Sequence, residues 1–252
     1  MKRNNKDSKR RTRKRKRILN FVLFVMIITL LYLFAFKTKF FDVKSIEVSG
    51  NKKMSYEKIV NTSTFIKGEN IFRVSKKLGE ESLNRLPYIK NVKIKRKLPS
   101  TMIIEVEERK EIAIVPYIGS FVYIDDDGYI LSIEGKKGET QLPQIFGLEL
   151  VDLEAGENLF DKLEGNDIRD FIVFSEQAKL LQLMKYINFS DNNNTKVQLN
   201  NDIKVAFGPL DNVKYKLSFL SKILKDIEEK DLDVRQVLFN KGDNPIIVID
   251  DK

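Results

Sequence analysis

The chain has 252 residues and contains no histidine, cysteine or tryptophan. Those absences exclude disulfide bracing, Ser-His-Asp and Cys-His nucleophilic centres, and histidine-ligated zinc. The formal charge of +9 belongs to the first 17 residues, which hold eleven Lys/Arg and one acid, Asp7; the remainder is nearly balanced, with 34 basic and 35 acidic residues.

Ile18 to Phe36 is a run of 19 residues without a charge. As a helix it would span about 28 Å, close to the thickness of a bilayer core. Asn20, Thr29 and Tyr32 are its only polar interruptions, so it has no polar face. The run is long for a signal peptide, and Phe36-Lys37-Thr38-Lys39-Phe40 offers no small-residue cleavage site, which predicts an uncleaved anchor. Eleven basic residues precede it, and only Lys37 and Lys39 follow closely. That asymmetry predicts a single-pass type II protein, N-terminus cytoplasmic and residues 37–252 extracytoplasmic. No aromatic residue interrupts the basic tail, residues 1–17, to stack on bases. Its expected contact is therefore anionic membrane lipid, at about 1 kcal/mol per basic residue near the surface, and not nucleic acid.

Residues 40–108 read as a small mixed domain. Val43, Ile46 and Val48 predict a strand ending at the turn Ser49-Gly50-Asn51. Ser55 is placed to cap a short helix containing Tyr56, Ile59 and Val60. After the break at Gly68-Glu69-Asn70, a second helix is expected from Ser75 to Leu86, with Leu78, Leu83 and Leu86 buried. Two strands then flank Leu98-Pro99-Ser100, with Val92 opposite Val106 and Ile94 opposite Ile104. The same register sets Lys93 across from Glu105 on the outer face.

These residues carry a family resemblance. Phe41-Asp42-Val43-Lys44-Ser45-Ile46-Glu47-Val48-Ser49-Gly50-Asn51 and Gly68-Glu69-Asn70-Ile71-Phe72 resemble the POTRA domain of the FtsQ/DivIB cell-division family. So do Leu86-Pro87-Tyr88-Ile89-Lys90-Asn91-Val92-Lys93-Ile94-Lys95-Arg96-Lys97-Leu98-Pro99-Ser100-Thr101 and Val106-Glu107-Glu108-Arg109. The basic tail and single anchor complete that family's layout. The fold class expected is α+β: one transmembrane helix at residues 18–36, a POTRA-like β-α-α-β-β domain at 40–108, and a mostly antiparallel β domain with helices at 109–250.

In the second domain, Phe121–Ile124 and Tyr129–Ser132 flank Asp125-Asp126-Asp127-Gly128, a hairpin signal. Leu142-Pro143-Gln144-Ile145-Phe146-Gly147 fits that family's second domain. A helix is expected from Asp167 to Tyr186, burying Ile168, Phe171, Ile172, Ser175, Ala178 and Leu181. A hairpin of Thr195–Leu199 with Ile203–Phe207 leads to a helix capped by Asp211, with Val213, Leu217, Leu220, Leu224 and Ile227 inward. Val234–Phe239 and Ile246–Ile249 close the sequence as two strands.

No G-x-x-x-x-G-K-[ST] or G-x-G-x-x-G loop occurs, and Asp125-Asp126-Asp127 lacks the ligand spacing of an EF-hand. No catalytic residue, cofactor, metal ligand or small-molecule substrate is expected; a chain of this kind works by contact. The resemblance implies a divisome scaffold joining early and late division proteins during septum assembly. It also implies partners of the FtsB/DivIC and FtsL types, bound at the C-terminal strand by added strand pairing. Here the corresponding residues are Phe239, Pro245, Ile246, Ile247, Val248 and Ile249. Ile246–Ile249 is uncharged and β-prone, and Pro245 suits an edge, although a buried closing strand reads equally well. Two alternatives are a tethered POTRA component of an export or envelope-assembly system and a tethered cell-wall hydrolase. Too few residues follow Glu108 for a large membrane barrel, and the missing His and Cys weigh against the hydrolase.

Overall fold

The computed structural model describes residues 4–242 and 244–249, with side chains from residue 14 onward. The first three residues of the basic tail, the side chain of Asp7 and Asp250 lie outside this description. Two compact units emerge, Met1–Asn84 with Asn91–Glu107, and Arg85–Lys90 with Glu108–Lys252.

Helix α1 runs from Asn4 to Lys37. Its stretch Lys14–Lys37 is long and apolar enough to cross a bilayer, and its apolar window is exposed, with only Ala35 and Phe36 near its end half-buried. It is the single helix of that kind among the described residues. With the basic flank on the N-terminal side, the topology is type II.

The rest of the first unit is a β-α-α-β-β arrangement. Strand β1 is Ser45–Ser49, helix α2 Tyr56–Thr62, helix α3 Lys76–Asn84, β2 Ile89–Lys97 and β3 Thr101–Glu108. The three strands order as β1-β3-β2, with β1 parallel to β3 in the register Ile46↔Met102, Val48↔Ile104. Helix α2 begins where Ser55 accepts a hydrogen bond from the Lys58 N–H, 3.2 Å, satisfying one orphan donor of the first turn. Ile46, Ile59, Leu83, Ile94, Met102 and Ile104 form the core.

Three details differ from expectation. Helix α3 stops at Asn84, Leu78 is exposed, and Leu86 is half-buried. The inward face is built instead around Gly79, where an added Cβ would sit 2.7 Å from Phe65 and 2.9 Å from Ile94. A missing side chain has no hydropathy, so the leucines misplaced the face. On the outer side of the hairpin, Glu105 pairs with Lys95 at 2.6 Å rather than with Lys93, and Lys97 pairs with Glu47 at 3.2 Å.

Gly50 turns the chain out of β1 at φ +88°, and a Cβ there would lie 1.9 Å from the Val106 carbonyl oxygen. Backbone cannot yield as a side-chain tip can. Gly50→Ala is therefore expected to destabilise the first unit by at least about 2 kcal/mol, read as a lower denaturant midpoint of the detergent-solubilised chain.

The second unit is organised on a nine-stranded sheet. Its strands are β4 Ala113–Tyr117, β5 Ser120–Ile124, β6 Ile130–Glu134, β7 Gln144–Phe146, β8 Met184–Asn188, β9 Thr195–Leu199, β10 Lys204–Gly208, β11 Val234–Leu238 and β12 Ile246–Ile249. They order as β12-β11-β10-β9-β8-β7-β4-β5-β6. Five of the eight contacts are antiparallel, and β10–β11, β7–β8 and β4–β7 are parallel. The β7–β8 and β10–β11 pairs are parallel because connections containing α4 and α5 return the chain in the same direction, whereas β4 and β7 are joined through the β5–β6 hairpin without a helix. Helix α4, Asp167–Gln177, and helix α5, Val213–Lys230, bury Phe171, Ile172, Leu217 and Leu220 in the core.

Helix α4 ends nine residues before the expected boundary at Tyr186. Lys179 takes φ +57°, and the Leu180 N–H closes onto the Ser175 carbonyl at 2.9 Å. Ala178 is exposed; Leu181 stays buried, in a short 3-10 turn leading into β8. The start of α5 also differs, since its N-cap is Asn212 at φ +49° with no side-chain cap. Asp211 binds Lys216 instead, whose Nζ also donates to the Phe207 and Pro209 carbonyls at 3.0 and 2.7 Å. That lysine ties the β10–α5 loop together. Leu224 and Ile227 are half-buried.

Candidate partner-binding edge

Strand β12 is the outermost strand on its side of the sheet. It pairs antiparallel with β11 in the register Leu238↔Ile246, Val237↔Ile247, Gln236↔Val248 and Val234↔Ile249, with a bulge before Gln236. Among the described residues no strand lies on its other side, so alternate N–H and C=O groups face outward along that edge. Ile246 is 46% exposed, Ile247 39% and Ile249 51%. Val248 and Pro245 are half-buried. Successive residues point to opposite faces, so both faces of this strand carry exposed branched apolar side chains.

Phe239 is placed differently. It is 8% exposed, stacks on Phe207 with centroids 5.4 Å apart and 10° between planes, and donates its N–H to Ala206 at 2.8 Å. Phe207 in turn meets Phe171 edge-on at 5.1 Å. Phe239 is thus core, rooting the strand pair from beneath. Pro245 through Ile249 come together at one edge; Phe239 does not join them.

Sequence reasoning missed the adjoining sheet face. Tyr186, Gln198, Lys204, Ala206, Gln236 and Leu238 line a hollow of about 390 Å³ across β8 to β11. Through the pairs Gln236↔Val248 and Leu238↔Ile246, that face continues into β12. The signal was present as alternate residues in each strand, but their mixed polarity resembles an ordinary solvated face.

The carboxylate group Asp125-Asp126-Asp127 forms the turn of the β5–β6 hairpin, with Gly128 at φ +86°. Its acceptors are taken by the protein's own donors. Buried Asp125 accepts from the Tyr129 and Asp127 N–H groups at 2.7 and 3.1 Å, and Arg109 donates to its other oxygen. The Arg109 guanidinium also lies 3.8 Å over the Tyr129 ring. Lys90 reaches Asp127 at 3.0 Å and Asp126 at 3.5 Å. The three carboxylates lie within 4.8 Å of one another, and Arg109 and Lys90 offset two of their three negative charges.

The hydrogen bond from Lys90, reinforced by the Lys90 and Arg109 charges, holds the Asp127 carboxyl below its ordinary range. The same contact raises Lys90 above the usual lysine value. Stability from the pair is full above the ordinary carboxylate range and is lost as pH falls through the lowered Asp127 value. At the other end it is full below the usual lysine value and lost as pH rises through the raised one. Melting temperatures of the parent and Lys90→Met should differ by a constant amount from about pH 5 to 9 and converge below about pH 4 and above about pH 10.5. Asp127 is about half exposed, so the plateau difference will be small.

A single membrane helix, a β-α-α-β-β unit and a sheet unit whose last strand is unpaired on one side among the described residues define a membrane-tethered two-unit protein. Comparison with known proteins narrows the class. Residues 41–109 match the POTRA domain, FtsQ-type, and residues 113–240 match the C-terminal region of cell division protein FtsQ/DivIB. Cell division protein DivIB of Clostridium botulinum strain Hall is 31% identical over 248 residues, covering 94% of each chain. DivIB of Clostridium tetani is 28% identical over 211 residues, covering 81% of this chain and 78% of its own. A solved structure of the major extracytoplasmic domain of the trans isomer of DivIB from Geobacillus stearothermophilus covers 49% of this chain and 97% of its own, at 17% identity and a TM-score of 0.34. The chain belongs to the FtsQ/DivIB family of cell-division proteins, which are not enzymes. The hydrolase and export readings fall away with that assignment.

Proposed function

We propose that this protein is a divisome scaffold that links early and late division proteins at the septum by receiving a partner segment along β12. The observation that carries the reading is the unpaired outer edge of β12, with Ile246, Ile247 and Ile249 exposed. An incoming extended segment would complete the backbone hydrogen bonds and cover both apolar faces at once. The partners in this reading are coiled-coil division proteins of the FtsB/DivIC and FtsL types. In this reading the working parts are the basic tail at residues 1–17 against anionic lipid, the anchor at 18–36, a placement domain at 40–108 and a binding domain at 109–250. Phe239 supports the edge from the core and makes no partner contact.

The test is imaging of dividing cells with an N-terminal fluorescent fusion, full length beside a form ending at Lys241. Ending there removes β12 and leaves Phe239 and β11 in the core, whereas a cut at Asp233 would strip β11 and expose Phe207. A midcell band for both forms, with partner recruitment lost in the shorter one, supports the proposal. Uniform membrane signal from the full-length protein, or recruitment that survives loss of β12, overturns it.

A further inference from the structure

We propose that the membrane-proximal end of the first unit is a second lipid-binding surface, which takes anionic phospholipid headgroups on the extracytoplasmic side, opposite the basic tail. The joint between α1 and the domain is packed. Asn70, nine-tenths buried, donates its side-chain N–H to the Ala35 carbonyl at 2.7 Å, one of the carbonyls left without a partner in the last turn of α1. Phe72 lies 5.7 Å from Phe36 and 5.1 Å from Phe41, ring to ring, and Phe41 is 5.6 Å from Phe34. The Ile71 N–H donates to the Phe41 carbonyl at 2.8 Å. No free linker intervenes, so the exit of the helix from the bilayer determines which loops meet the headgroups.

Three segments converge there. The Lys44 and Ser45 N–H groups both donate to the Ser100 carbonyl, at 2.8 and 3.3 Å, bringing the β2–β3 loop beside the start of β1. The Arg96 guanidinium donates to the Ile71 and Val74 carbonyls at 2.8 and 2.7 Å, which ties the same hairpin to the loop before α3. On this end Phe40 is 51% and Leu98 56% exposed. Around them stand exposed Lys37, Lys39, Lys44 and Arg73, none with a carboxylate partner among the described residues. A lone exposed apolar side chain is ordinary. Two of them among unpaired cations, on loops that flank an emerging membrane helix, have the make-up of an interfacial surface: apolar groups reach the acyl boundary and cations hold the headgroups.

The absence of tryptophan makes the test clean, since one introduced indole reports alone. The full-length chain is reconstituted in vesicles of phosphatidylglycerol or phosphatidylcholine, each brominated high on the acyl chain, with the reporter Leu98→Trp. Lys52→Trp, on the exposed turn at the opposite end of the three-stranded sheet, is the control. The expected result is roughly twofold quenching and a blue shift for Leu98→Trp in phosphatidylglycerol, weaker in phosphatidylcholine, with Lys52→Trp unaffected. Adding Lys39→Glu, Lys44→Glu and Arg73→Glu should return the anionic signal to the zwitterionic level. Quenching no greater than that of Lys52→Trp overturns the proposal, and equal quenching in the two lipids overturns the headgroup assignment. Should Leu98→Trp melt below the parent, Phe40→Trp replaces it, because the aromatic contacts at that position are retained.

Discussion

Val248→Pro is expected to weaken capture of the partner segment by roughly 30- to 100-fold, with melting of the first unit unchanged. Consecutive N–H groups in a strand point to opposite sides, so of Ile247→Pro and Val248→Pro one removes a donor to β11 and the other a donor on the free edge. Either loss defeats strand addition. One detaches the template and the other breaks the new ladder, and two or three hydrogen bonds at about 1 kcal/mol each account for the magnitude. The measurement is binding of the extracytoplasmic part of a DivIC-type partner to the detergent-solubilised full chain. Capture at parental affinity by both variants would mean that the partner uses another surface.

Arg109→Met should lower the melting temperature of the second unit by about 6–12 °C, which corresponds to about 3 kcal/mol. Asp125 is fully buried and Arg109 is its cation, so the substitution strands a carboxylate in the core. Breaking a buried pair from one side costs about 3–5 kcal/mol, and the lower value applies because the Tyr129 and Asp127 N–H groups still solvate one oxygen. The lost stacking on Tyr129 adds to the effect. Asp125→Asn should cost less, since the amide oxygen keeps the two backbone bonds. A melting temperature within about 2 °C of the parent for Arg109→Met would show that the turn stands without the pair.

What could be read in advance was local. The anchor announces itself by hydropathy alone, and Ser55 by a capping geometry completed within three residues. Strands were legible wherever one face is buried, as in Val92 and Ile94 against Lys93 and Lys95. Long-range facts were not. The end of α4 depends on Lys179 adopting a positive φ, a conformation that glycine would have flagged and lysine does not. Asp211 was a reasonable cap until Lys216 reached back for it. Phe239 looked like part of the closing strand because it is contiguous with it, and only its stacking on Phe207 assigns it to the core. The exposure of Ile246–Ile249 could not be read from an apolar run, because burial depends on what the rest of the sheet brings alongside.

The order of the sheet has a consequence for when the protein becomes usable. Strand β12 is held by β11, and β11 lies parallel to β10, joined to it through the α5 crossover. Non-local parallel pairing of this sort is slow to form. The anchor, by contrast, is synthesised first and needs none of this to enter the membrane. In the proposed role, a chain that is inserted but incompletely folded therefore has no docking strand to offer. Recruitment then acts as an inspection step, passing only molecules whose final hairpin has closed.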